Sequence, residues 1–528
     1  MKRSDSSLSN TDESRVGLLD EKHHYYHDDQ ATTRSTSTGW LRNPSSNKIL
    51  LSWPCLPLRH FGRLLSQVLQ TLLPSFLQPR QCNTPSKNDS LPPTAFLDGM
   101  RGLAAFVVFI CHLTYGTFEI GHAWGANPHS ESHGQADSVN KGFLRLPIVR
   151  LLYSGPPMVA IFFVISGYAL SCKPIKLMRS QNHEQLMTSM SSAIFRRGLR
   201  LFLPCFASTF LVICLAQLGM YQKTEVFVDQ VRMQREDHCY TQPNPWLQFT
   251  DWLQQMHIFV DIFNWSLYAG SIELDRHLWT IPAEFRCSLG LFLSHMMVAR
   301  MSTKLRILTL STLIVWGVSW DRWELCPFWA GAIIAELDIT RLTKLSDNLP
   351  SSTSNSEDHP QCKRTMPEIF YGLMFLVSLF LLSYPDAAGH ATPGYITLTR
   401  LIPAAFTQKH RFWPTIGAAT IIWSSCRLRV LRDRVFCFAP VQYLGKISFP
   451  LYVMHGPIIH TLGYSILPRT PIHETPEIMR QFQLDFLKAS IVIVMAVIWA
   501  ADVFLRVVDI PCVNLARRLE KKVFCSLT

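Results

Sequence analysis

Long apolar blocks alternate with short polar or basic segments from residue 95 to residue 508. The blocks run to the length of a bilayer-crossing helix, about 20 residues. About ten can be marked, near 95–118, 150–172, 199–221, 278–299, 305–320, 323–338, 366–384, 411–426, 437–465 and 484–508. The two at 305–320 and 323–338 are short, and fit tilted helices, broken helices or one re-entrant pair. The Trp-rich stretch 246–268 fits an interfacial element. The pattern predicts an all-α fold: a polytopic membrane helix bundle with about ten transmembrane helices.

The flanks read differently. Residues 1–48 are rich in Ser, Thr, Asp and His and show no period, as in a disordered tail. The run 22-KHHYYHDD-29 reads as part of that tail. In 56–77, Leu64, Leu65, Val68, Leu69, Leu72, Leu73 and Phe76 recur at helical spacing beside Arg59, His60 and Arg63. This predicts an amphipathic helix lying on a membrane surface. A Pro/Ser/Asn linker, 79–94, follows, and 346–366 reads as a flexible loop. The expected organisation is a cytosolic tail over 1–94, a membrane domain over 95–508 and a short basic tail over 509–528. The start is polar, with no apolar core before a small-residue cleavage site, so the first span is expected to act as the targeting signal.

The formal charge of +12 could suggest nucleic acid. Its distribution argues for a bilayer instead. With a cytosolic N-terminus, the cytosolic loops gather Lys173, Lys176, Arg179, Arg196, Arg197 and Arg200, then Arg300, Lys304 and Arg306, then Arg427, Arg429, Arg432 and Arg434. The opposite loop, about 222–277, holds Glu225, Asp229, Glu236, Asp237, Asp251, Asp261, Glu273 and Asp275. The positive-inside rule then favours this orientation. Many spans without a signal peptide point to the endoplasmic reticulum or endomembranes. The fourteen cysteines show no metal or disulfide spacing.

Ionisable residues inside the blocks carry the candidate chemistry, because they are costly there. In 95-AFLDGMRGLAAFVVFICHLTYGTF-118, Arg101 and His112 are eleven positions apart. Eleven helical steps return to nearly the same face, roughly 16 Å further along. Asp98 lies on the same segment, and Gly99, Gly102 and Ala105 offer a close-packing surface. Ser166 and Tyr168 interrupt the apolar run 156-PPMVAIFFVISGYALS-171, either to pack helices or to line a polar cavity. Arg196, Arg197 and Arg200 precede the third span, as topology anchors or as a phosphate site. Glu284 needs a partner or a wet cavity. His455 lies among Pro450 and Pro457, where a helix is expected to border a cavity.

Together, 97-LDGMRGLAAFVVFICH-112, 161-IFFVISGYAL-170, 196-RRGLRLFLP-204, 279-WTIPAEF-285 and 444-LGKISFPLYVMH-455 resemble the acyltransferase 3 family of multi-pass membrane O-acyltransferases, most closely its fungal branch. Met100 and Ile281 stand where Leu is usual in the family, and neither touches a chemical role. The resemblance implies transfer of an acyl group, usually acetyl, from acyl-CoA to a hydroxyl, with no bound cofactor or metal. It implies that Arg101, Arg196, Arg197 and Arg200 receive the CoA phosphates. His112 then acts as base, since burial disfavours the imidazolium, or carries the acyl group covalently. Glu284 either orients His112 or balances an arginine. Asp98, Ser166, Tyr168, Trp279 and His455 line the cavity. The expected partners are acyl-CoA, a hydroxyl-bearing acceptor and the lipid bilayer. The acceptor is a small metabolite or, alternatively, a cell-wall or lipid-linked glycan. A multi-pass transporter is the alternative of another class.

Overall fold

A computed structural model describes residues 70–78, 91–126, 141–230, 237–266, 268–347, 367–471 and 475–525. The predicted tail, most of the predicted amphipathic helix 56–77, the linker to residue 90 and the loop 348–366 lie outside the described residues. Two compact units divide the chain, Met1–Asp89 and Ser90–Thr528. In the first, the chain is helical to Leu72 and then turns. The Gln78 amide closes that turn, donating to the carbonyls of Gln70 (2.8 Å) and Leu73 (3.1 Å).

In the second unit the described residues contain helices and no strand, so the fold is all-α as expected. The principal helices are α1 (Ala95–Thr114), α2 (Pro156–Arg179), α3 (His183–Gln217), α4 (Gln222–Gln230), α5 (Pro245–Phe259), α6 (Thr280–Val298) and α7 (Thr303–Ser319). They continue with α8 (Leu325–Asp347), α9 (Pro367–Leu382), α10 (Lys409–Ser425), α11 (Ala439–Ile458), α12 (Pro476–Phe504) and α13 (Ile510–Cys525). Local chemistry sets several starts. Asn182 and Asn244 cap α3 and α5 by accepting from the backbone N–H of Gln185 (3.1 Å) and Leu247 (2.9 Å). Proline occupies the first turn of α2, α5 and α12, where its missing N–H costs nothing.

Four helical segments among the described residues are long and apolar enough to cross a membrane: α1, α2, α3 and the continuous rod Pro476–Phe524. The sequence suggested about ten. The other blocks do fold as helices, but they are shorter or carry charge. The α9 helix has 16 residues, α6 carries Glu284 and Arg286, and α8 carries Glu336 and Asp338. The short blocks near 305–320 and 323–338 form two separate helices, α7 and α8.

Two helix pairs meet backbone to backbone. A methyl group on Gly102 would overlap the Gly445 backbone nitrogen, so α1 and α11 touch there. A methyl group on Gly331 would likewise overlap the Val164 carbonyl, so α2 and α8 touch there. Close approach of this kind is what small residues permit in apolar bundles. Around the first crossing pack Phe109, Leu113, Ile447, Leu451, Ile493 and Val497. Around the second pack Phe163, Cys287, Leu291, Trp323, Phe328 and Ala332. Cys239 and Cys326 are both buried and unbridged.

Candidate active site

Three separate elements deliver three histidines to one place. His112 lies in the last turn of α1 and His455 in the last turn of α11. His277 belongs to a 3-10 turn, Arg276–Trp279, that runs directly into α6. The His112 ring centroid is 3.8 Å from that of His277 and 5.3 Å from that of His455. The rings of His277 and His455 are 4.7 Å apart.

The chain fixes these rings by short-range bonds. Asp275 caps the 3-10 turn, and one carboxylate oxygen accepts from the His277 backbone N–H (3.1 Å) and from its Nδ1 (3.0 Å). A carboxylate only accepts, so the His277 ring carries a proton on Nδ1. His455 Nδ1 lies 2.6 Å from the Tyr452 carbonyl, which fixes the same tautomer there. Tyr452 also ties the turn to α11. Its hydroxyl donates to the His277 carbonyl and lies 2.6 Å from the Thr280 hydroxyl. Gly456 makes room for the pair, since a Cβ there would come within 3.0 Å of Asp275 Oδ2 and 3.1 Å of His277 Nδ1. Pro457 cannot donate to the Val453 carbonyl, and Ser208 of α3 does so instead (3.4 Å).

A second network surrounds Glu284. It accepts from Ser166 (2.8 Å) and from Arg197 (2.7 Å), whose Nε donates to Ser288 (2.6 Å). Glu284 is thus paired with an arginine, Arg197. Arg101, one end of the expected pair, donates to Ser448 (2.9 Å) and lies 3.4 Å from Asp98. Asp509 lies in the electrostatic field of both Arg200 and Arg101. Arg196 pairs with Glu520 at 3.3 Å.

Residues 94–505 match the family model for an acyltransferase domain. The chain belongs to the acyltransferase 3 family. Three fungal relatives agree. The O-acetyltransferase PaAT-1 of Phomopsis amygdali is 32% identical over 75% of this chain and 78% of its own length. The acyltransferase clz18 of Cochliobolus lunatus is 29% identical over 80% of this chain and 95% of its own. The acyltransferase R4 of a Phoma species is 28% identical over 81% of this chain and 97% of its own. No solved structure matches the chain.

In this acyltransferase the expected residues separate into groups. His112 and His455 meet. Ser166, Glu284 and Arg197, from α2, α6 and α3, meet one another. Tyr168 parts from Ser166, its hydroxyl donating to Asp338 (3.0 Å), which Arg427 also holds (3.1 Å). Trp279 closes the same 3-10 turn two residues after His277, with the Arg411 guanidinium 5.1 Å from its ring centre. His277, Asp275 and Tyr452 were not singled out from the sequence. A signal existed: an Asp-x-His pattern immediately before 279-WTIPAEF-285, where an aspartate can cap the incoming turn.

Proposed function

We propose that this membrane acyltransferase moves an acetyl group from acetyl-CoA to a hydroxyl of a small metabolite, with His112 as the general base. The convergence of His277, Asp275 and His455 on His112 carries this reading. An acceptor O–H hydrogen-bonded to His112 gives up its proton to the imidazole as its oxygen attacks the thioester carbonyl carbon. The carbonyl electrons move to oxygen and then return. The C–S bond breaks, and the CoA thiolate recovers the proton from His112. The products are the acetyl ester and free CoA thiol, and the enzyme is regenerated. The Asp275 carboxylate, acting through His277, favours the positive charge that forms transiently on His112.

Three other arginines suit the donor. Arg101, Arg196 and Arg200 would receive the phosphates of CoA, while Arg197 holds Glu284. The thin pantetheine arm would then run beside α1 from Arg101 to His112, roughly 16 Å along the helix axis. The charge pattern of the loops supports a cytosolic N-terminus, and we place the protein in the endoplasmic reticulum or endomembranes as part of the same reading. The acetyl group and the hydroxyl acceptor are consistent with the relative named as an O-acetyltransferase. A transporter leaves the histidine cluster unexplained.

Two measurements test the reading. Detergent-purified protein should release CoA thiol from acetyl-CoA when supplied with an extract of hydroxylated metabolites; a transporter would release none. Deleting the gene should cause one metabolite to lose the mass of an acetyl group. An acetylated cell-wall glycan lost in its place would move the acceptor assignment to a glycan.

A further inference from the structure

The histidine cluster has a property beyond acyl transfer. Each ring of His112, His277 and His455 offers one nitrogen, and these three atoms all lie within 4.8 Å of one another. Two of the rings are arranged as metal ligands are. His277 is held through Nδ1 by a carboxylate and His455 through Nδ1 by a backbone carbonyl, which leaves Nε2 as the nitrogen each ring would offer a metal. A second shell of this composition fixes the tautomer of ligating histidines and raises their basicity. Asp275 gives an independent indication. It is buried, and its Oδ2 has no hydrogen-bond partner. A buried carboxylate needs positive charge or hydrogen-bond donors nearby.

We propose that His112, His277 and His455 form a binding site for a divalent transition-metal cation of the zinc type. Three neutral imidazoles are a borderline-soft donor set that suits zinc rather than magnesium or calcium. Zinc–nitrogen bonds of about 2.0–2.1 Å would require the three ring nitrogens to converge on one point through small side-chain rotations. Sequence spacing could not show the site, because each ligand comes from a different part of the chain. A regulatory consequence rests on His112 being the base. The lone pair that binds the metal is the one that accepts the acceptor's proton, so the metal-loaded enzyme is inactive.

The test uses the full chain, purified without a polyhistidine tag, stripped with chelator, reloaded with zinc chloride and desalted. Metal content is read by mass spectrometry, alongside thermal unfolding with and without zinc. The wild type should retain one more zinc per chain than His277→Ala or His455→Ala, and zinc should raise its unfolding temperature but not theirs. Asp275→Asn keeps all three rings and should weaken zinc binding by about 10- to 100-fold. Equal zinc retention by wild type and both histidine variants, or an unchanged affinity in Asp275→Asn, overturns the proposal. Activity separates the two readings. Inhibition by zinc that chelator reverses supports both; a stripped enzyme that is inactive and regains activity with zinc keeps the metal site and removes His112 as base.

Discussion

The two glycine crossings are built alike and furnished differently. At the α1–α11 crossing, Gly102 meets Gly445, and the helices carry Arg101, His112 and His455. At the α2–α8 crossing, Gly331 meets the backbone of α2 near Gly167, and the helices carry Tyr168, Arg179, Glu336 and Asp338. The second crossing balances its charges. Glu336 binds Arg306 at 2.8 Å and faces Arg179 at 3.4 Å, and Asp338 binds Arg427. The first pairs Arg101 with Asp98 at one end and gathers three imidazoles beside the buried Asp275 at the other. One device therefore builds both a braced scaffold and a histidine cluster. The difference lies in what the crossing helices carry: carboxylate–arginine pairs at one, converging imidazoles at the other.

Perturbing each crossing should separate the two roles. The largest stability loss is expected for Glu336→Gln, which strands the buried Arg306 and should cost about 3–5 kcal/mol. Thermal unfolding in detergent measures it, and protein that remains folded should keep its acyl-transfer chemistry. Next come Gly102→Ala and Gly331→Ala, each overpacking a backbone contact by about 1–3 kcal/mol. Only Gly102→Ala should also lower kcat, because it pushes α1 away from α11 and His112 away from His455. Equal kcat losses in the two variants would erase the proposed contrast. Tyr452→Phe removes hydrogen bonds to the His277 turn and should cost about 0.5–1.5 kcal/mol, with a lower kcat and an unchanged KM for acetyl-CoA.

The smallest effect should appear outside both crossings. Glu119, in the loop after α1, bonds Arg145 at 2.8 Å and His122 at 2.9 Å. Burial raises the affinity of its carboxylate for a proton, but these partners together outweigh that and hold it below its ordinary value of 4.5. Its stabilisation is therefore complete above that value and lost as pH falls through the lower, folded-state value. Glu119→Gln should cost less than about 1 kcal/mol at neutral pH, because the pair is partly solvated. The gap between variant and wild type should close in acid; a gap that widens there would contradict the assignment.

Particular residues show what was legible in the sequence. The Arg101–His112 spacing could be read because both residues lie on one helix, where period alone fixes their relation. The same holds for Gly99 and Gly102 as a packing surface. The meeting of His112 with His277 and His455 could not be read, because it joins segments far apart in the chain. Glu284 was legible as a buried carboxylate needing a partner, but the choice of Arg197 depends on how α3 docks on α6. The apolar blocks gave the all-α bundle. Four of the described helical segments are long and apolar enough to cross a membrane, while others carry Glu284, Arg286, Glu336 and Asp338, which are accommodated by packing.

The central claim is that His112 is the base of acyl transfer, and one measurement tests it most directly. His112→Ala is purified in detergent, shown by thermal unfolding to be folded, and assayed for CoA thiol release from acetyl-CoA in the presence of acceptor. The account predicts a fall in kcat of about 10²- to 10⁴-fold with acetyl-CoA still bound. Turnover at the wild-type rate by the folded variant would contradict it.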